Sequence, residues 1–162
     1  MNHIINVYHE NKTETSCNKV IESVCNTVLQ NEYVDTLCVI NVLFTDDSGI
    51  RKYNRDYRSI DKATDVLSFP MQTFIEAGWS SHGELEFDED TGELPLGDII
   101  ISMETVKRQS EEYGNSVEHE TAYMIIHSTL HLLGYDHDNE KNEKIMHSKA
   151  KEILEMLGYK NK

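Results

Sequence analysis

The sequence has few cysteines and prolines and no long apolar run. Its 3 cysteines are Cys17, Cys25 and Cys38, which form no C-x-x-C pair; the odd count argues against a disulfide framework. We interpret Cys17 and Cys25, eight residues apart in a helical pattern, as small core or boundary residues. No segment approaches the roughly 20 apolar residues of a membrane span, and the first residues show no signal-peptide pattern. These features predict a cytoplasmic protein that enters no membrane.

The length of 162 residues is that of a single domain. A chain of this size can bury roughly 70% of the surface that its unfolded state exposes, so it needs no disulfide to fold. Apolar residues make up 38% of the sequence, which is enough for one core. We therefore predict one domain over residues 1–162.

Basic residues are scarce, and their distribution is uneven. There are 15 Lys and Arg against 29 Asp and Glu, a formal net charge of −14. This balance argues against broad electrostatic binding to nucleic acid, and no DNA binding is expected. Residues 51–62 are the exception, with two acids and five cations: Arg51, Lys52, Arg55, Arg58 and Lys62. A solvated helix face and a local phosphate-binding strip both fit this cluster.

Hydrophobic periodicity predicts an α+β or mixed α/β domain with about four strands, and we take α+β as the fold class. The predicted strands are residues 4–8, 36–45, 65–69 and 98–102, and the predicted helices are 15–30, 46–57, 103–113, 116–133 and 139–157. Ser16 and Ser116 are the expected N-caps of the first and fourth helices. The fourth helix is apolar on most sides, so we expect it to be central and largely buried.

Residues 71–96 differ from the rest of the chain. They contain no Lys or Arg, turn signals at Gly78, Gly83 and Gly92, and seven acids: Glu76, Glu84, Glu86, Asp88, Glu89, Asp90 and Glu93. We predict a long acidic excursion on the surface, with a hairpin as one form. Phe74 and Trp79 within it could stack on bases, but such aromatics more often attach a loop to the core.

Residues 127–137 hold three of the 8 histidines. His127 and His131 are four apart on a predicted helix and therefore share a face, while Gly134 lets the chain turn so that His137 returns to the same point. Three imidazoles leave one tetrahedral position open, which is typical of catalytic rather than structural sites. Imidazole suits zinc, copper, nickel or iron, and zinc is our default. Asp136 and Asp138 are either acceptors for the ring N–H groups or ordinary loop acids.

The spacing H-x-x-x-H-x-x-G-x-x-H is shared with the metzincin proteases. Those enzymes carry Glu directly after the first histidine as the general base. Ser128 occupies that position here, and a hydroxyl cannot accept a proton at neutral pH as a carboxylate can. Met146 falls on a predicted helix stripe rather than in a Met-turn. A peptidase is therefore disfavoured.

Three blocks of sequence resemble the YbeY endoribonuclease family. They are residues 54–58, continuing through Asp61 to 64–70 (TDVLSFP), residues 96–102 (LGDIIIS), and the histidine block ending in LLGYDH at His137. The resemblance implies a compact domain with a small mixed sheet flanked by helices. It also implies a zincin-like central helix that carries a three-histidine metal site, His127, His131 and His137, in a cleft.

The function implied by the resemblance is a metal-dependent endoribonuclease acting on single-stranded RNA. Its setting would be maturation of ribosomal RNA, especially the 3′ end of the small-subunit RNA, and ribosome quality control. The implied partners are a small-subunit ribosomal protein and a ribosome-assembly GTPase. The family's arginine matches Arg58, whose guanidinium can bind two phosphate oxygens at once; an ion pair with Asp61 or Asp65 is the structural alternative. Arg51, Arg55 and Lys62 are expected to extend a phosphate track.

The chain departs from the family pattern at two places. The family usually has Gly after the first histidine, where this chain has Ser128, and the acidic segment 71–96 looks longer than the usual connection. Two other functions stay open: a ribosome-assembly factor with a mainly structural metal, and a metallohydrolase of another substrate. Either water or the ribose 2′-OH fits as nucleophile. His147 is expected to be exposed and outside the metal site.

Overall fold

A computed structural model describes residues 2–11 and 18–159. The strands are β1 (Ile4–His9), β2 (Cys38–Thr45), β3 (Val66–Pro70) and β4 (Leu94–Ser102). The helices are α1 (Asn18–Asn31), α2 (Asp47–Arg58), α3 (Met103–Tyr113), α4 (Val117–Leu132) and α5 (Glu140–Met156), and a short 3-10 helix spans Trp79–Ser81. The predicted order of elements and the α+β class are confirmed.

The four strands form one mixed sheet in the order β1-β2-β4-β3. β1 pairs with β2, and β2 with β4, in parallel, while β3 runs antiparallel to β4. Central strands are covered on both faces, which explains why β4 is buried along most of its length. Within residues 2–11 and 18–159, β3 pairs with no strand other than β4, so its other edge is open, and β3 also contacts α4. The mixed sheet expected from the family resemblance is confirmed.

The helix starts follow the N-capping residues of the sequence. Ser116 accepts a hydrogen bond from the backbone N–H of His119 at 3.0 Å, and Asn139 caps α5 by accepting from Asn142 at 2.8 Å. The predicted cap Ser16 and the predicted core residue Cys17 lie outside the described residues. Cys25 is a buried free thiol, which confirms its prediction as a small core residue, and Cys38 is also a buried free thiol.

Helix α4 lies at the centre of the fold, in contact with β3, β4 and the three helices α1, α3 and α5. Ten of its residues are buried, so the predicted central position is confirmed. Burial on most sides leaves one strip of α4 facing solvent, and that strip carries His127 and His131. Despite the apolar character of α4, no helix within residues 2–11 and 18–159 has the length and hydropathy to cross a bilayer.

The acidic excursion is attached to the domain by buried side chains. Trp79 is only 5% exposed, and its Nε1–H donates to Asp35 Oδ1 at 2.9 Å. Gln72 donates to the backbone oxygens of Glu86 and Pro95 at 3.0 and 2.7 Å. The prediction that Trp79 attaches the loop to the core is confirmed, and the stacking alternative is wrong for Trp79 because its ring is buried. A single antiparallel bridge joins Phe74 to His82, which falls short of a hairpin.

Candidate metal centre

The structure brings His127, His131 and His137 together at the exposed strip of α4. One ligand nitrogen from each ring can be chosen so that all three lie within 4.8 Å of one another. The ring centroids are 4.8 Å apart for His127 and His131, and His137 lies 5.7 and 5.1 Å from these two rings. His127 and His131 are partly buried, while His137 is exposed on the connection between α4 and α5. The cluster is therefore open on the side of His137.

The turn after α4 returns His137 to the helix, and it requires glycine. Gly134 has φ +90°, a conformation that side-chain-bearing residues rarely adopt. A Cβ atom at Gly134 would also lie 2.7 Å from Cβ of Phe74. The backbone N–H groups of Gly134 and Tyr135 donate to the oxygens of His131 and Leu130, which closes the helix end. The glycine signal in the sequence therefore has a steric basis.

A backbone carbonyl, rather than a carboxylate, orients the second ligand ring. Nδ1 of His131 lies 2.8 Å from the backbone oxygen of Tyr135, which can only accept, so Nδ1 carries the hydrogen and the Nε2 lone pair is free. Asp136 accepts from the backbone N–H of His137 at 2.8 Å but lies 4.0 Å from that ring's Nδ1. Asp138 accepts from Asn142. The interpretation of both aspartates as ring acceptors is wrong; they are loop acids.

The surroundings keep two of the rings uncharged at neutral pH. Burial first of all, and then the nearby rings of His131 and His137, lower the pKa of His127 to about 4. Burial likewise lowers the pKa of His131. Neutral imidazoles have the lone pairs that a metal ion needs, whereas imidazolium ions would repel one. The donor set is therefore ready to bind a cation.

The cluster fits a divalent metal ion in geometry as well as chemistry. A tetrahedral ion with bonds of 2.0–2.1 Å separates its nitrogen ligands by about 3.4 Å, so small ring rotations suffice to close the site. Nδ1 of His127 is buried and has no hydrogen-bond partner among the described residues, so this polar atom is left without compensation by the protein. A three-histidine cluster of this kind can bind a divalent cation.

Arg58 faces the same cleft. This cleft has a volume of about 1120 Å³ and is bounded by α4, the open edge of β3, the end of α2 and α5. Arg58, the last residue of α2, is exposed and makes no ion pair or hydrogen bond in the described part of the chain. Asp61 pairs instead with Arg51 at 2.8 Å, and Asp65 accepts from the backbone N–H of Val66. The structural ion pair suggested for Arg58 is therefore wrong.

The comparisons with known proteins agree over almost the full chain. The family model described as Endoribonuclease YbeY matches residues 3–158. The chain belongs to the YbeY family. The Endoribonuclease YbeY of Thermoanaerobacter sp. (strain X514) is 44% identical over 159 residues, covering 97% of this chain and 98% of the relative. That of Agathobacter rectalis is 43% identical over 155 residues, covering 90% and 94%.

A solved structure supports the same placement. The solution structure of TM1509 from Thermotoga maritima matches with a TM-score of 0.61 and 27% identity, covering 94% of this chain and 87% of that one. Membership of the YbeY family makes this chain an endoribonuclease, a hydrolase that acts on RNA. The recognition from three sequence blocks is thus confirmed.

Ser128 stands where the resemblance to the YbeY family led us to expect Gly. Ser128 is fully buried, and its Oγ has no hydrogen-bond partner among the described residues. The hydroxyl therefore does not reach the cleft. The protease-like position after the first histidine contributes no chemical group to this site.

Sequence reasoning placed Arg51, Arg55 and Lys62 near the RNA, but none of the three lines the cleft. Arg55 pairs with Asp56 at 3.2 Å. The sequence did not lead us to predict two cleft residues on α5, His147 and Lys151. His147 is exposed as expected, yet it lies beside the metal cluster. No local signal marks this pair, because α5 is brought to the cleft only by its packing against α4.

Proposed function

We propose that this chain is a zinc-dependent endoribonuclease that cuts single-stranded RNA in the cytoplasm. Its substrate would be precursor ribosomal RNA, especially at the 3′ end of the small-subunit RNA, in ribosome maturation and quality control. The observation that carries the proposal is the meeting of three histidines and one unpaired arginine in a single cleft. The proposal is supported by the YbeY family model, which matches residues 3–158 of this protein.

The metal ligands would be His127, His131 and His137, with Nε2 of His131 freed by the Tyr135 carbonyl. Zinc is the ion that best suits three neutral imidazoles and an open position. When bound, such an ion supplies Lewis-acid stabilisation of charge on a phosphoryl oxygen. The protein's own part is to keep the rings of His127 and His131 neutral by burial and to place His137 beside them through the turn at Gly134.

Arg58 would act directly on the scissile phosphate. Its guanidinium is a planar cation that can donate two parallel hydrogen bonds to phosphate oxygens. Because no carboxylate holds it in the described structure, binding a phosphate requires no ion pair to be broken. Arg58 would therefore hold the phosphate and stabilise the additional negative charge of the transition state.

The size of the cleft and the chemistry at Ser128 support an RNA strand as the substrate rather than a peptide. A volume of about 1120 Å³ is enough for a few nucleotides of one strand. The buried hydroxyl of Ser128 offers no general base for peptide hydrolysis.

The basic strip of α2 would serve as an approach path to the cleft. Arg51 and Arg55 form exposed ion pairs, which are weak and can exchange for RNA phosphates. Lys62 follows α2 and would extend the strip. Because the chain carries a net charge of −14, a small-subunit ribosomal protein and an assembly GTPase would supply part of the affinity for the ribosome.

The test is cleavage of RNA by chelator-stripped protein to which zinc is returned. We expect cleavage of a single-stranded RNA and of a small-subunit precursor 3′ end only after zinc addition, and little cleavage of the same strand in a perfect duplex. Zinc-dependent stability without any cleavage would contradict the proposal and favour the assembly-factor alternative.

A further inference from the structure

The α5 wall of the cleft carries a cation that the proposed function does not use. Lys151 lines the same cleft as Arg58 and the three histidines. His147 lies four residues earlier, one turn away on the same face of α5, and also lines it. Lys151 and Arg58 are the only Lys or Arg side chains that line this cleft within the described residues.

The side chains of Lys151 and His147 have no other partner in the described structure. Both are exposed, and neither side chain forms a hydrogen bond or ion pair with another described residue. Two other lysines of α5 are held by acids: Lys144 lies 3.3 Å from Glu140, and Lys149 lies 3.0 Å from Glu32. In a chain with 29 acids and 15 Lys and Arg residues, an unpaired lysine at the metal cleft is available for an anionic ligand.

Two cavities are shared by Lys151 and part of the histidine cluster, whereas Arg58 lines only one of them. A second cavity of about 820 Å³ is lined only by residues of α4, α5 and the connection between them, and it includes His147 and Lys151. His127 and His137 line both cavities, whereas Arg58 lines only the first. Helix α4 packs against both β3 and α5, and β3 in turn contacts α2, the helix that ends at Arg58. A strand bound at Arg58 and the histidines therefore has Lys151 within the same cleft.

We propose that Lys151 and His147 bind the RNA phosphodiester adjacent to the scissile one, so that single-stranded RNA crosses the cleft from α2 to α5. The inference rests on the proposed function, because it assigns a second phosphate of the same substrate. The Lys151 ammonium supplies the charge, and a ring N–H of His147 donates to the phosphate oxygen.

Glu140 and Glu143 also line the second cavity, and Lys144 pairs with Glu140. The Glu143 carboxylate has no hydrogen-bond or ion-pair partner among the described residues and would repel the phosphate, so the positive charge of Lys151 is needed to offset that repulsion.

The test compares KM and kcat of the zinc-loaded protein on one labelled single-stranded RNA at several salt concentrations. For Lys151→Gln we expect KM to rise about three- to tenfold with kcat within about twofold, since a contact to a neighbouring phosphate contributes to binding rather than to chemistry. The slope of log(1/KM) against log salt should become shallower by about 0.7, the value for one phosphate contact on a single strand. Lys151→Arg should restore both values.

Lys141→Gln is the matched control. Lys141 is exposed in the first turn of α5, carries the same charge and lines neither cavity, so its KM and salt slope should equal those of the wild type. A wild type that cleaves RNA while Lys151→Gln keeps its KM and slope would overturn this inference and leave the proposed function intact. An equal loss in Lys141→Gln would also overturn it, since the effect would then be one of overall charge. Failure of the wild type to cleave any RNA would overturn both proposals.

Discussion

Nδ1 of His131 lies 2.8 Å from the backbone oxygen of Tyr135, so the turn that ends α4 also orients a ring of the metal site. The carbonyl is fixed because the Tyr135 side chain is only 9% exposed and belongs to the hydrophobic core. The backbone N–H of Tyr135 is also held, by the oxygen of Leu130. Folding of the core and orientation of a metal ligand are therefore coupled through one residue.

Gly134→Ala should damage the metal site more than the fold. The substitution forces a Cβ onto φ +90° and against Phe74, so the Tyr135 carbonyl must move away from His131. We expect zinc affinity to fall about 10–100-fold, the usual effect of losing a partner that orients a ligand, and unfolding free energy to fall by about 1–3 kcal/mol. Competition with a chromophoric chelator and denaturant unfolding measure the two quantities.

Gly158→Ala separates backbone strain from damage to the site. Gly158 has φ +87°, close to that of Gly134, but nothing lies within 4 Å of its added Cβ and it is remote from the histidines in sequence. The Gly158→Ala protein should have a lower unfolding free energy than the wild type and the same zinc affinity. Equal zinc affinity in the two variants would show that the turn does not control the ligand.

Removal of either of two adjacent buried hydroxyls on α4 should change the unfolding free energy, and the two changes should have opposite signs. Ser128 Oγ has no hydrogen-bond partner in the described part of the chain, whereas Thr129 Oγ1 donates to the backbone oxygen of Ile125 at 2.7 Å. We expect Ser128→Ala to raise the unfolding free energy of the metal-free protein by about 1–2 kcal/mol, because it removes an uncompensated polar group. Thr129→Val should lower it by about 1 kcal/mol. Urea unfolding measures both, and a destabilised Ser128→Ala would mean that the hydroxyl has a partner in solution.

The contact between Trp79 and Asp35 predicts a pH dependence of the excursion. Donation by the indole N–H lowers the pKa of Asp35 below its ordinary value of about 3.9. Since the folded-state pKa is depressed, this stabilisation is present above about pH 3.9 and is lost as the pH falls through the folded-state pKa. Trp79 is the single tryptophan of the sequence, so its indole N–H proton resonance in an NMR spectrum reports the titration of Asp35 directly.

The midpoint of that resonance should lie below about pH 3.9. Asp35→Asn keeps an amide oxygen as acceptor and cannot titrate, so its indole resonance should be independent of pH in this range. A wild-type midpoint at or above the ordinary value would show that the hydrogen bond is not maintained.

Removal of the metal should leave a folded protein. The hydrophobic core joins the sheet to α1, α3, α4 and α5 without involving the histidines, so the core does not require a metal ion. Free zinc at 100 times its dissociation constant should raise the unfolding free energy by about 2.7 kcal/mol by mass action, and this gain should vanish in His131→Ala. Thermal unfolding with and without chelator tests this, and an unfolded metal-free protein would support a structural role for the ion.

The central helix could be predicted almost to the residue because its signals are local. Ser116 caps it, apolar residues fill its turns, and Gly134 ends it. The start of β4 was predicted at Asp98, whereas the strand begins at Leu94. Pro95 and Gly97 are poor strand residues, and they are accommodated by a bulge opposite Val39 and Ile40 of β2. Only pairing with β2 shows that they belong to the strand.

The details of the site that were missed depend on the backbone or on distant packing. The hydrogen-bond acceptor for the His131 ring is the backbone carbonyl of Tyr135. Every residue has such a carbonyl, so the sequence pointed instead to the loop aspartates as acceptors. Lys151 lies fourteen residues after His137, and only the packing of α5 on α4 places it in the cleft. The clustering of His127, His131 and His137 was predictable because their spacing is that of one helical turn followed by a glycine turn.

The most direct test of the account is cleavage of a labelled single-stranded RNA by highly purified wild-type protein beside His131→Ala and Arg58→Ala proteins prepared identically. Circular dichroism first establishes that all three are folded. We expect cleavage by the wild type and a loss of at least about 100-fold in both variants, since each removes a group that stabilises transition-state charge. Equal cleavage by all three would indicate a contaminating ribonuclease and would contradict the assignment of the metal site and Arg58 to one active centre.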